Sequence, residues 1–168
     1  MKVIQSILIT ALFATSGAVF AQADLIGTAS LTRTGANLEI GLASDGAVHG
    51  LQFDVKAPKG VSFANANLSN CLDGLPVAFS ASTCTLIDEQ TIRVVVLSLS
   101  SEAVPSTILG TISLTNTTDS LKKLTAARRL DAKSISGIKF ENVVFGGAGG
   151  KRIESGLVNF SIASNSYK

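Results

Sequence analysis

The sequence of 168 residues contains no tryptophan, one tyrosine, one methionine, one histidine and two cysteines. Each shortage closes off some chemistry. With His49 as the lone imidazole, any Ser-His-Asp or Cys-His relay would have to use it. His49 stands at the entrance of a strand-like run, and no Gly-x-Ser-x-Gly nucleophile turn occurs anywhere in the chain. Cys71 and Cys84 do not have Cys-x-x-Cys spacing, and one histidine cannot complete a zinc set with them. Lacking tryptophan, the chain has only Tyr167 near its C-terminus and eight phenylalanines, most at inward strand positions. That leaves no planar aromatic platform for a sugar. Charged residues make up 15% and the formal net charge is +2, which is too little to favour nucleic acid as a partner.

What the chain does have is apolar content, 46%, and Gly 15, a composition suited to short strands, tight turns and one ordinary core. Residues 1–23 open with Lys2, continue as an apolar run and end in small residues, the pattern of a cleaved secretory leader. Ala21-Gln22-Ala23 fits the small-x-small rule and places the mature start at Asp24, while Val19-Phe20-Ala21 allows an earlier cut, after Ala21. The uninterrupted apolar portion is shorter than the roughly 20 residues of a bilayer span, so no membrane anchor is expected in the mature chain. Residues 24–168 are read as one domain, secreted or periplasmic. In that oxidising setting Cys71 and Cys84 are expected to pair across a loop rich in Asn, Asp, Gly and Pro.

The organising stretch is residues 48–63. Leu51, Phe53 and Val55 alternate with Gln52, Asp54 and Lys56, the period of a strand with one buried face. Pro58 and Gly60 then turn the chain, and Val61 and Phe63 point inward again. Alternation predicts further strands over 24–33, 37–43, 77–80, 85–87, 91–99, 107–115, 138–145 and 157–162. The β-branched run Val94, Val95 and Val96 suggests a strand dry on both faces. In the next strand Ile108, Ile112 and Leu114 are read as sharing a face. Residues 116–133 differ in flavour. Leu121, Leu124 and Ala127 recur at helical spacing among Lys122, Lys123, Arg128, Arg129 and Lys133, which predicts a short inserted surface helix with a solvated basic face. About nine strands and at most one helix indicate an all-β, antiparallel, nine-stranded jelly-roll sandwich.

No constellation in the chain reads as a reaction centre. The run Gly-Gly-Ala-Gly-Gly-Lys at 146–151 lacks a phosphate loop's glycine at Phe145 and its Ser or Thr at Arg152, so it reads as a hairpin turn. Asp45, Asp54, Asp73, Asp88, Glu89, Glu102, Glu141 and Glu154 lie in turns or on outward strand faces, where solvated roles are expected. No cofactor or metal is implied.

The order of these pieces resembles the cohesin family and the carbohydrate-binding-module-like sandwiches related to it. The resemblance is carried by GLQFDV at 50–55 with its Pro-Gly turn and VSF at 61–63, and by TIRVVVLS at 91–98. It continues through ILGTISL at 108–114 and IKFENVVF at 138–145, then a Gly-rich turn, Ile153 and a closing strand to Ile162. It implies a non-catalytic secreted module that binds a dockerin-like protein through one sheet face, in systems that degrade polysaccharide. The alternative is a carbohydrate-binding module with a polysaccharide as partner. On this reading Gln52, Asp54 and Lys56 are the candidate partner-binding residues. Reversing the charges of Asp54 and Lys56 is expected to leave stability within about 0.5 kcal/mol, as for any exposed pair.

Overall fold

The computed structural model describes residues 22–32, 35–115 and 130–163. Eight strands run in chain order: β1 Gln22–Leu31, β2 Gly35–Ser44, β3 Val48–Lys56, β4 Thr83–Asp88, β5 Thr91–Leu97, β6 Thr107–Thr115, β7 Lys139–Gly147 and β8 Arg152–Ile162. They form one curled sheet in the order β4-β5-β3-β7-β8-β1-β2-β6. β8 joins its two halves. Arg152 and Ile153 pair antiparallel with β7, whereas the stretch from Glu154 onward runs parallel to β1. The fold is therefore all-β, as expected. It differs from the sequence expectation in having eight strands rather than nine among the described residues, and a mixed rather than purely antiparallel sheet. A parallel pair between the first and last strands depends on how the sheet closes, and local alternation carries no record of that.

The inner faces of the two halves make the core. Leu51, Phe53 and Val55 of β3, Ile92, Val94 and Val96 of β5, and Leu38, Ile40 and Leu42 of β2 are all buried. The Phe140 ring on β7 meets Phe53 edge-on at 5.3 Å and Phe160 of β8 at 5.2 Å, which ties the halves together. Gly27 of β1 leaves the room these rings need, since a side chain there would run into Phe160 and Phe140. Val61 and Phe63 point inward as predicted, although in a turn region and not a strand.

Three local expectations are corrected. Residues 77–80 are not a strand, because Pro76 leads into a 3-10 turn at Val77–Phe79 that buries only Phe79. Ile108 is exposed while Leu109 is buried. A register shift opposite Ile40 and Gly41 rotates the start of β6 by one residue, so Ile108 does not share the face of Ile112 and Leu114. β5 is wet on one side: Val95 is half-buried and Leu97 exposed, since β5 lies beside the edge strand and has only one core face.

The predicted basic helix lies mostly outside the described residues. Within them a single turn, α1 Ala132–Ile135, is capped by Asp131, which accepts from the Ser134 amide while Ser134 bonds back to the Asp131 amide. Cys71 and Cys84 are joined, as expected, and fasten the 64–76 loop to β4. This loop covers the outer edge of β6. Asn67 exchanges two main-chain bonds with Ser113, the Thr111 amide donates to Asn70, and the Gly74 amide donates to Leu109. Gly110 is required beneath it, because a Cβ there would collide with the main chain of Asn70 and Cys71.

Candidate functional site

The candidate residues lie on the outer face of β5, β3 and β7. Strand register lays it out in rows. Gly50 sits between Leu97 and Gly146, Gln52 between Val95 and Val144, Asp54 between Arg93 and Glu141, and Lys56 between Thr91 and Lys139. One end of the face is apolar, with exposed Leu97 and Val144 around two glycines. The other end is charged.

Gln52, Asp54 and Lys56 do share this face, but Asp54 does not keep it wet. Its residue is only 3% exposed, because neighbouring side chains cover it. Arg93 donates to both carboxylate oxygens, Nε to Oδ1 at 2.8 Å and Nη2 to Oδ2 at 2.9 Å, and Asn142 Nδ2 donates to Oδ2 at 2.7 Å. Asn142, itself exposed, reaches across the outer face from a bulge in β7, where the register against β3 shifts between Gln52 and Asp54. Its φ of 53° is a left-handed conformation that asparagine tolerates better than most side chains. The Arg93 hydrogen bonds hold the Asp54 carboxyl below its usual range. Burial opposes the shift, and Asn142 and the Arg93 charge reinforce it. Arg93 is raised in turn by the same contact.

The charged end is tied down as well. Lys56 donates to the Thr91 hydroxyl at 2.6 Å, and Thr91 donates to Asp88 at 2.9 Å. Lys139 pairs with Glu141 at 2.7 Å. The Asp88 carboxyl is lowered chiefly by the Gln90 amide, then by the Thr91 hydroxyl. With its pKa lowered and both oxygens engaged by Arg93 and Asn142, Asp54 is poorly suited to carry a proton, and the cluster reads as a structural clamp. Sequence reading missed Arg93 and Asn142. Arg93 was legible as the one charge inside an apolar strand, whereas Asn142 depends on a bulge with no local signature.

His49 lies beside a surface cavity with Lys151, Arg152, Ile153 and Glu154. Its Nδ1 is 2.8 Å from the Ser101 main-chain oxygen, so its partner is neither a hydroxyl nucleophile nor a carboxylate. Among the described residues no group of three or more His, Cys, Asp or Glu is placed to hold a metal ion. No helix among them is long and apolar enough to cross a membrane.

No family model and no curated protein matches the chain. Among solved structures it is similar to the non-cellulosomal cohesin from the hyperthermophilic archaeon Archaeoglobus fulgidus, with 11% identity and a TM-score of 0.48, over 86% of this chain and 93% of that one.

Proposed function

We propose that this chain is an exported, non-catalytic, cohesin-like module that docks a partner protein on the outer face of β5, β3 and β7. The observation that carries the reading is the clamp. Asp54, Arg93 and Asn142 lock three adjacent strands together with charge-assisted bonds on their outer side, giving a rigid platform with an apolar end and an end of paired charges. Such a face suits a protein surface with an apolar anchor and a polar, mixed-charge flank able to meet Lys56, Lys139 and Glu141. By the family resemblance, a dockerin-like module from a polysaccharide-degrading system has the appropriate character. A sugar is the weaker reading, because Phe53, Phe63, Phe79, Phe140 and Phe145 are all buried and supply no ring platform.

The test is differential capture from the host's secreted fraction, comparing the wild-type domain with a Val144→Lys variant and a Glu39→Lys control on the opposite half. Val144 is exposed, so folding is expected to be unchanged. A partner held by the wild type and by the control, but bound about 30-fold more weakly by Val144→Lys, is the expected result. Equal retention by all three proteins would remove this face from the interface.

Export with leader removal belongs to the same proposal. Gln22 and Ala23 are strand residues, Gln22 opposite Glu154 and Ala23 opposite Ser44 and Ser155, with Ala23 buried. A cut after Ala21 keeps both, whereas a cut after Ala23 removes the first pairs of β1. The intact mass of exported protein is expected to correspond to a chain starting at Gln22. A mass starting at Asp24 would show that these pairs are dispensable.

A further inference from the structure

The curled sheet has two terminal strands, β6 and β4, and they are treated differently. The outer edge of β6 is covered by the 67–74 segment, as described above. β4 has β5 as its only strand neighbour, and no main-chain group of Thr83–Ile87 bonds to anything on the other side among the described residues. Exposed edges are ordinarily blunted by lysine, proline or an inward charge. The sequence Thr83-Cys84-Thr85-Leu86-Ile87 contains none of these. Its one concession is a register irregularity between Leu86 and Asp88. The edge is not loose, because Cys84 is bonded to Cys71 in the core.

We propose that the β4 edge is a self-association site, in which a second copy of this chain adds its own β4 antiparallel about a two-fold axis through Thr85. Two observations select a second copy over an unrelated strand. The edge is neutral from Ser80 to Ile87, so pairing it with itself opposes no like charges; the nearest, Asp88, falls opposite Ser82 of the second copy. The two Asp88 carboxylates then stand about 20 Å apart at strand rise, beyond the screening length of about 8 Å. The surface is also self-complementary. Ile87, 51% exposed, comes opposite Thr83 of the other copy, beside the segment that carries Val77, Leu97 and Leu99. That segment is held as a unit, with Leu99 N donating to Ala78 O and Leu97 N to Ser82 Oγ. Val77 and Leu99 are 88% and 75% exposed, so two-fold symmetry gives each copy one apolar knob and one apolar seat.

An edge this short buries less than the roughly 1,200–2,000 Å² of a stable interface, so the association is weak and grows with concentration. This site is an edge, separate from Gln52 and Val144 on the face proposed above, and it stands whether or not that face binds a partner.

Two experiments test the proposal on the mature chain. In sedimentation equilibrium the wild type is expected to dimerise. Ile87→Lys, an exposed substitution, is expected to weaken dimerisation about a hundredfold because it acts twice across the axis. Thr85→Cys places its sulfur against its own symmetry mate and is expected to give a linked dimer under mild oxidation, with the Cys71–Cys84 bridge intact by peptide mapping. Glu39→Cys, exposed on β2, is expected to give none. The proposal is overturned by a wild type monomeric up to roughly 1 mM, where association is worth only about 4 kcal/mol. It is equally overturned by a dimer indifferent to Ile87→Lys, or by linkage no greater at Thr85→Cys than at Glu39→Cys.

Discussion

Replacing Asp54 by lysine is expected to destabilise the domain by about 3–5 kcal/mol, read from urea unfolding, against the near-zero cost that its outward strand position would suggest. The larger figure follows from what covers it. A cation placed there would face the Arg93 guanidinium at a site with almost no water, and it would leave the Asn142 amide without its acceptor. Lys56→Glu is the internal control. Lys56 is only half-buried, and its ion pair with Asp88 is long at 3.9 Å, so a change of about 1 kcal/mol or less is expected. Asp54 also imposes a pH dependence. Its folded pKa lies below the unfolded value of about 3.9, so its contribution is fully present above that value and is lost as pH falls through the lowered folded value. Stability should be flat from neutrality to about pH 5 and then decline, with a shallower decline in Asp54→Asn. Equal acid slopes for the two proteins would show that the clamp does not hold the carboxylate ionised.

Removing the Cys71–Cys84 bridge as the double alanine variant is expected to cost about 3 kcal/mol, roughly 10 °C in melting temperature for a chain of this size. The loss has a location as well as a size. Cys71 anchors the loop that covers the β6 edge, and Cys84 anchors β4. In hydrogen exchange the Thr111 and Ser113 amides, which donate to Asn70 and Asn67, should open sooner. The β3 amides between two strand neighbours should follow only the global change. Uniform acceleration across the sheet would mean that the bridge acts only on the unfolded chain.

Alternation made the core faces of β2 and β3 legible in the sequence because Leu38, Ile40 and Leu42 of β2 and Leu51, Phe53 and Val55 of β3 keep a period of two along the buried side. It failed wherever register shifts. Ile108 and Leu109 exchange roles at the β6 irregularity, and at the β7 bulge Asn142 turns outward over Asp54 while Val143 packs against the core. Each shift is a change of register against a neighbouring strand, which the period of a single strand does not encode. Val77 misled for a different reason, since an apolar residue after Pro76 looks like a strand start yet is almost fully exposed in a 3-10 turn. The sharpest failure is Asp54. Polar-out alternation correctly put it on the outer face, but outward is not wet when an arginine from β5 and an asparagine from β7 close over the carboxylate. Leu121, Leu124 and Ala127, on which the helix expectation rested, lie outside the described residues.

The most direct test of a docking role is an amide-exchange footprint of the domain with its captured partner, read strand by strand. The account predicts slowed exchange confined to β5, β3 and β7, strongest around Gln52, Val95 and Val144, with β1, β2 and β6 unchanged. Protection centred on β1, β2 and β6, with the Gln52 row unaffected, would contradict it.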